Sequence, residues 1–159
     1  MTGNQLVSLH IAGDPIPQGS KKIGRHGRRP VILDDNDAKL KPWRARVTLG
    51  ARQAMLGRPP VDAPIELRIV FMIERPRGHY GTGRNAGTLR ASAPMRPAVK
   101  PDVDKLERAI LDALTGVVYV DDGRVVDTHV SKIYAPEPTG AGVLIRAHLA
   151  SWAPTAFVA

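Results

Sequence analysis

Residues Lys100 to Asp127 read KPDVDKLERAILDALTGVVYVDDGRVVD, and this stretch predicts a helix, a turn and the start of a strand. The apolar residues that recur at helical spacing are Val103, Leu106, Ile110, Ala113 and Leu114. We expect the helix to end at Thr115-Gly116, because glycine readily adopts the left-handed conformation that closes many helices. The pattern therefore predicts an amphipathic helix with one face buried in a core.

Acidic residues stand at both ends of this stretch. Asp102 and Asp104 lie at the start of the helix, and Asp121-Asp122 follow the short apolar run 117–120. If the second pair folds back beside the first, three carboxylates converge and need a strong positive charge between them. Oxygen ligands favour a hard cation such as magnesium or manganese. The chain has no cysteine and its histidines are scattered, which argues against a zinc site.

Simpler interpretations remain open for these residues. Asp is a favoured helix cap, and acidic residues in a first turn complement the helix dipole, so Asp102 on its own fits a capping role. Arg108 lies one turn after Asp104 on the same helix face. It is either a surface ion-pair partner or a group that holds a phosphate beside a metal.

The stretch resembles the RusA family of Holliday junction resolvases, especially phage and prophage members. The matching motifs are the D-x-D of Asp102-Val103-Asp104, the basic Arg108, the helix end Asp112-Ala113-Leu114-Thr115, the pair Asp121-Asp122 and the apolar Val125-Val126. By this resemblance the catalytic metal ligands map to Asp102, Asp104 and Asp122. A family lysine that assists catalysis maps to Arg108, which keeps the charge but changes the geometry. Lys105 stands where the family often has asparagine.

The resemblance also implies a reaction and an assembly. It implies an endonuclease that depends on Mg2+, with Mn2+ expected to substitute, and that resolves four-way DNA junctions by paired symmetric nicks. It implies a homodimer and a small mixed sheet. Cleavage of flaps or replication forks is a further possibility, since the sequence does not separate these substrates.

Composition sets the broad class of the protein. The 159 residues suit a single domain over 1–159, and 43% hydrophobic residues allow a real core. The net charge of +8 predicts a polyanionic partner, first of all nucleic acid. Neither a signal-like start nor an apolar run of membrane-spanning length is evident, so we expect a cytoplasmic protein without a membrane partner.

Basic residues concentrate in two segments that we predict to be flexible loops, 14–30 and 75–101. The second carries no Asp or Glu and leads directly into Asp102. Long stretches without periodicity are usually functional or disordered. The expected phosphate contacts are Lys21 and Lys22 in the first segment, Arg75, Arg77 and Lys100 in the second, and Lys132 further along the chain.

Alternating residues and breakers predict the remaining elements. The expected strands are 5–12, a short 31–33, a central 64–74, 125–134 and 143–149, with the last two paired as a hairpin, and a helix is expected over 42–56 with Pro42 first and Trp43 in the core. We expect the apolar tail after 150 to pack on the body or on a partner chain. The fold class is α+β (mixed α/β), with two main helices on a small mixed sheet.

Two functions from different classes fit the sequence. The first is the metal-dependent endonuclease, and the alternative is a non-catalytic basic DNA-binding protein whose acidic cluster is structural. Salt-sensitive DNA binding fits both. Metal-dependent strand cleavage separates them.

Overall fold

The computed structural model describes residues 4–19, 21–34, 37–136 and 140–151. Its elements are β1 Gln5–Ala12, β2 Lys21–His26, β3 Arg29–Asp34, α1 Asp37–Met55, β4 Ile65–Ile73, α2 Val103–Leu114, β5 Val125–Tyr134 and β6 Gly142–Leu149. A four-stranded mixed sheet with two helices confirms the predicted α+β class. The tail 152–159, for which packing was predicted, lies outside the described residues.

The strand order of the main sheet is β1-β6-β4-β5. β6 is antiparallel to both β1 and β4, whereas β4 and β5 are parallel. The predicted hairpin between 125–134 and 143–149 is therefore wrong, because β4 lies between these two strands. The chain leaves β4, passes through α2 and returns as β5, and such a crossover makes the flanking strands parallel.

The core lies between one face of the sheet and the two helices. Leu67, Ile69 and Phe71 of β4 are fully buried, as are Leu106 and Ile110 of α2. The same alternation buries Val7, Leu9 and Ile11 of β1, as the sequence predicted. Trp43 of α1 is 3% exposed, which confirms its predicted place in the core.

Helix α1 begins five residues before the predicted start, at Asp37, and Pro42 lies inside it. Leu40 is 2% exposed and extends the apolar face of the helix toward its start. Burying such a side chain stabilises by roughly 2 kcal/mol, which is comparable to the cost of about 3 kcal/mol for proline in a helix interior. The burial of Leu40 therefore offsets most, though not all, of the cost of Pro42 inside the helix.

The first basic segment is not a loop throughout. Its residues 21–26 form β2, which pairs with β3 from Lys21↔Asp34 to His26↔Arg29. Gly27 takes a φ of +63° at the turn, a conformation that glycine adopts without strain. The alternation of β2 was hidden by its charged residues, and pairing with the apolar β3 decides the conformation.

The second basic segment is irregular, as predicted, but it contains local structure. Short 3₁₀ turns occupy Arg77–His79 and Gly83–Asn85, and the backbone amide of Gly81 donates to Thr88 over 2.9 Å. Its flexibility stays a prediction. Among the described residues, no helix has the length and apolarity needed to cross a membrane.

We expect Ile110→Ala to lower the free energy of unfolding by about 2–5 kcal/mol, because Ile110 is 0% exposed and its loss leaves a cavity. Urea denaturation measures this change. The control is Val126→Ala, at a side chain 61% exposed, where the change should stay within about 0.5 kcal/mol. Equal losses for both variants would contradict the packing of α2 against the sheet.

Candidate metal centre and nucleic-acid interface

Two exposed carboxylates stand at the start of α2. Asp102 occupies the N-cap position, yet its side chain makes no capping hydrogen bond. Its carboxylate is about half exposed and lies 3.5 Å from the ammonium of Lys105. Asp104 follows in the first helical turn and is exposed. Capping by the Asp102 side chain is therefore not what this residue does, although the helix dipole favours both charges.

A lysine from the sheet fastens the chain just before these carboxylates. The Lys132 ammonium of β5 donates to the carbonyl of Val99 over 2.6 Å and to that of Pro101 over 2.7 Å. We name this contact the lysine clamp. Two of the three donors of the ammonium are used in it. The predicted phosphate contact of Lys132 stays a prediction, and the structure shows an additional role in holding the entry to α2.

The two residues of the second acidic pair, Asp121 and Asp122, have different roles. The Asp121 carboxylate accepts a hydrogen bond of 2.8 Å from the backbone amide of Gly123 and caps the 3₁₀ turn Asp122–Arg124. Arg124 ties the same turn to Asp62 through an ion pair of 2.6 Å. Asp122 is exposed. Asp121 thus shapes the turn, and Asp122 presents the available carboxylate.

Tyr119 connects the segment before Asp121-Asp122 to the last turn of α2. The buried Tyr119 hydroxyl donates to the Leu111 carbonyl over 3.0 Å, in the last turn of the helix. Burial raises the pKa of Tyr119 well above its ordinary range, a hydrogen bond with Thr115 lowers it, and the charge of Asp122 raises it further. Tyr119 therefore stays protonated at neutral pH and acts as a donor. Tyr119 thus contacts the last turn of α2, whereas Asp102 and Asp104 stand at its beginning.

The structure places Asp102 and Asp104 at the start of the same helix, and their assembly with Asp122 stays a prediction. Within the described ranges, no three Asp, Glu or His side chains gather closely enough to hold a metal ion. The pair at the start of α2 nevertheless fits a hard cation in its chemistry. Both side chains are oxygen donors, both are exposed, and neither is used as a cap. Mg2+ is commonly held by one or two carboxylates together with water and phosphate oxygens.

A comparison with known protein families matches residues 12–146 to the model described as Endodeoxyribonuclease RusA. The chain belongs to the RusA family. The match confirms the resemblance read from the acidic stretch and extends it over most of the sequence. Membership in the RusA family supports endodeoxyribonuclease activity and a branched-DNA substrate.

A curated relative supports the same grouping. Uncharacterized protein YqaN of Bacillus subtilis (strain 168) is 30% identical over 142 residues, which cover 88% of this chain and 95% of the relative. Its name assigns no activity. YqaN therefore supports the RusA membership of the chain and adds nothing about the reaction.

Arg108, for which the resemblance predicts the role of the family lysine, is exposed one turn after Asp104. It makes no hydrogen bond or ion pair with any other described residue. The sequence allowed Arg108 to be either a surface ion-pair partner or a phosphate contact. Within the described ranges, Arg108 forms no ion pair. A guanidinium in this position is available for a phosphate at the start of α2.

The other residues predicted to contact DNA differ in whether their side chains already make contacts within the protein. The Arg75 guanidinium stacks 3.9 Å above the ring of Tyr134 and donates to the Pro94 carbonyl over 2.9 Å, so it holds the loop. Arg77 is exposed and lines an open groove of about 750 Å³ beside Tyr80. Lys100 is also exposed. Lys21 and Lys22 lie in β2, where their side chains fall outside the description.

Sequence reasoning missed the lysine clamp. Lys132 lies 31 residues from Pro101, and its partners are backbone carbonyls rather than an acidic side chain. Neither hydropathy nor charge pattern carries a signal for such a contact. The available signal was a single lysine among the alternating residues of β5.

Proposed function

We propose that this RusA protein is a metal-dependent, structure-selective endonuclease that resolves four-way DNA junctions by paired symmetric nicks. The observation that carries the proposal is the pair of exposed carboxylates at the clamped start of α2, inside the family match: Asp104 has no partner among the described residues, and Asp102 makes no capping hydrogen bond and only a half-exposed contact with Lys105. A purely structural acidic pair would instead be expected to cap the helix or to form internal ion pairs on both side chains.

The proposed ligands are Asp102, Asp104 and Asp122, holding Mg2+, with Mn2+ as a substitute. A metal held there would supply Lewis-acid activation of the scissile phosphate and of a water nucleophile. Arg108, on the same helix face as Asp104, neutralises charge that develops on the phosphate oxygens. Asp121 keeps the turn that presents Asp122.

The proposed partner is a four-way junction bound by a homodimer. Arg77 and Lys100 are exposed in the basic segment that leads into α2, and phosphate contacts from such residues position DNA without reading its bases. A two-fold dimer places two equivalent sites on a substrate of matching symmetry. Paired nicks follow from that symmetry.

The test is cleavage of a synthetic four-way junction, with each strand labelled in turn, in Mg2+ or in a chelator. We expect symmetric nicks in two opposed strands with Mg2+ and none with the chelator. A linear duplex of the same sequence is the control, and flap and fork substrates measure the preference. Junction binding without nicks in both Mg2+ and Mn2+ would favour the non-catalytic DNA-binding protein instead.

A further inference from the structure

A row of polar side chains crosses the face of the sheet opposite the helices. In the strand register, Ser8 of β1 faces Arg146 of β6, Arg146 faces Arg68 of β4, and Arg68 faces His129 of β5. All four side chains are exposed. The residues next to Arg146 and Arg68 along each strand are buried against the helices, so the row lies on the open face. We name these four residues the open-face row.

The row places two like charges directly opposite each other. Adjacent arginines on paired strands destabilise a sheet unless an anion lies between them. Arg68 is partly balanced, since its guanidinium lies 2.8 Å from the Glu66 carboxylate, although its side chain is 62% exposed. Arg146 forms no ion pair or hydrogen bond with another described residue. The arrangement leaves Arg146 as an exposed positive charge without an ion-pair partner among the described residues.

The open-face row also borders a groove. An open depression of about 500 Å³ is lined by Asn4, Gln5, Arg68, Arg146, His148 and Ser151, together with Glu66 and Leu149. The lining is mainly polar, and its donors include both arginines. A depression with this lining suits an anionic, hydrogen-bonding ligand better than an apolar protein surface.

We infer that the open-face row binds the DNA backbone and forms a second DNA contact surface, separate from the acidic residues of α2. This inference rests on the proposed function in one respect, that the substrate is DNA. With strands about 4.8 Å apart, the row spans about 14 Å, enough for a few consecutive phosphates of one strand. Hydroxyl, guanidinium and imidazole groups contact phosphate oxygens without reading bases. The surface therefore binds an arm of the junction irrespective of its sequence.

The test is the salt dependence of junction binding by Arg146→Gln, measured in a chelator so that no strand is cut. Each lost phosphate contact lowers the slope of log Kd against log salt by about one unit. We expect Arg146→Gln to weaken binding several-fold at low salt and to reduce the slope by about one. The double variant Arg68→Gln with Arg146→Gln should reduce it by about two.

The matched control is Arg52→Gln, which removes the same charge from an exposed position in the last turn of α1, in the helix layer. We expect its slope to equal that of the wild-type protein. The melting temperature of Arg146→Gln should equal or exceed the wild-type value, because repulsion with Arg68 is removed. A loss of binding together with a lower melting temperature would indicate that Arg146→Gln is misfolded. In that case the slope change must appear in the folded fraction of the double variant, measured against Arg52→Gln.

An unchanged slope in a folded Arg146→Gln protein would overturn the inference, and would leave an acidic protein as the better occupant. The result is independent of catalysis. Failure of the wild-type protein to cut junctions in metal would sink the proposed nuclease and leave the slope measurement valid. If the wild-type protein cut junctions in metal but Arg146→Gln showed no slope change, the proposed nuclease would stand and the inference about the open-face row would fail.

Discussion

Asp104→Asn is expected to reduce junction cleavage on the order of a thousandfold, the scale on which one electrostatic stabiliser of a transition state contributes. The substitution keeps the shape of the side chain and removes its charge. Asp104 is exposed in the first turn of α2 and is not needed for the core. Junction binding, which depends on the basic residues, should stay largely intact. Single-turnover cleavage of a labelled junction and a binding titration in chelator give the two quantities.

A second readout keeps this prediction independent of activity. Mn2+ binding, followed by its paramagnetic resonance signal or by calorimetry, should be clearly weaker for Asp104→Asn than for the wild-type protein. Glu107→Gln makes the same chemical change on the same helix, outside the proposed ligand set, and should preserve both cleavage and Mn2+ binding. Full cleavage by Asp104→Asn would remove this carboxylate from the site.

Lys132→Met is expected to slow cleavage on the order of a hundredfold, since a displacement of about 1 Å in a positioned group has an effect of that size. The substitution leaves the carbonyls of Val99 and Pro101 without the ammonium that now holds them. Charge-assisted hydrogen bonds contribute about 1.5–3 kcal/mol, so we also expect a measurable loss of stability. The rate at saturating enzyme should fall, while junction affinity changes little.

The division between rate and affinity tests the lysine clamp itself. Lys132→Arg, which keeps the charge and several donors, should recover part of the rate. Lys39→Met, at an exposed position of α1, should change neither rate nor stability. If Lys132→Met instead weakened binding and kept the saturated rate, Lys132 would be a simple phosphate contact, as the sequence first suggested.

Much of the fold follows from local patterns. The alternation in β1 and the helical spacing in α2 predict which residues are buried, because one face of each element must leave water. Gly116 ends α2 with a φ of +73°, as its position suggested. Strand order was not accessible in the same way. Nothing in β5 or β6 alone reveals that β4 separates them, since pairing depends on the path of the whole chain.

The candidate site, like the fold, was predictable from the sequence only where the signal is local. The D-x-D and the later acidic pair lie in one short stretch of sequence. Their residue types favour a hard cation, so the sequence alone was enough to predict this kind of site. The missing cap bond of Asp102, the turn held by Asp121 and the lysine clamp depend on contacts between distant residues or on side-chain orientation. The open-face row required the register of four strands, so Arg146 and Arg68 carried no joint signal in the sequence.

The position of β6 has a consequence for how the protein is made. β1 leaves the ribosome first, yet its partner in the sheet is β6, with Gln5 facing His148. Pairing between such distant segments is slow, because a long loop must close before any contact forms. A nascent chain that extends to β5 can pair β4 with β5. Strand β1 cannot join this sheet until β6 occupies the position between β1 and β4. We expect the sheet to close only after β6 has been synthesised, so that the protein cannot be competent before this strand has left the ribosome.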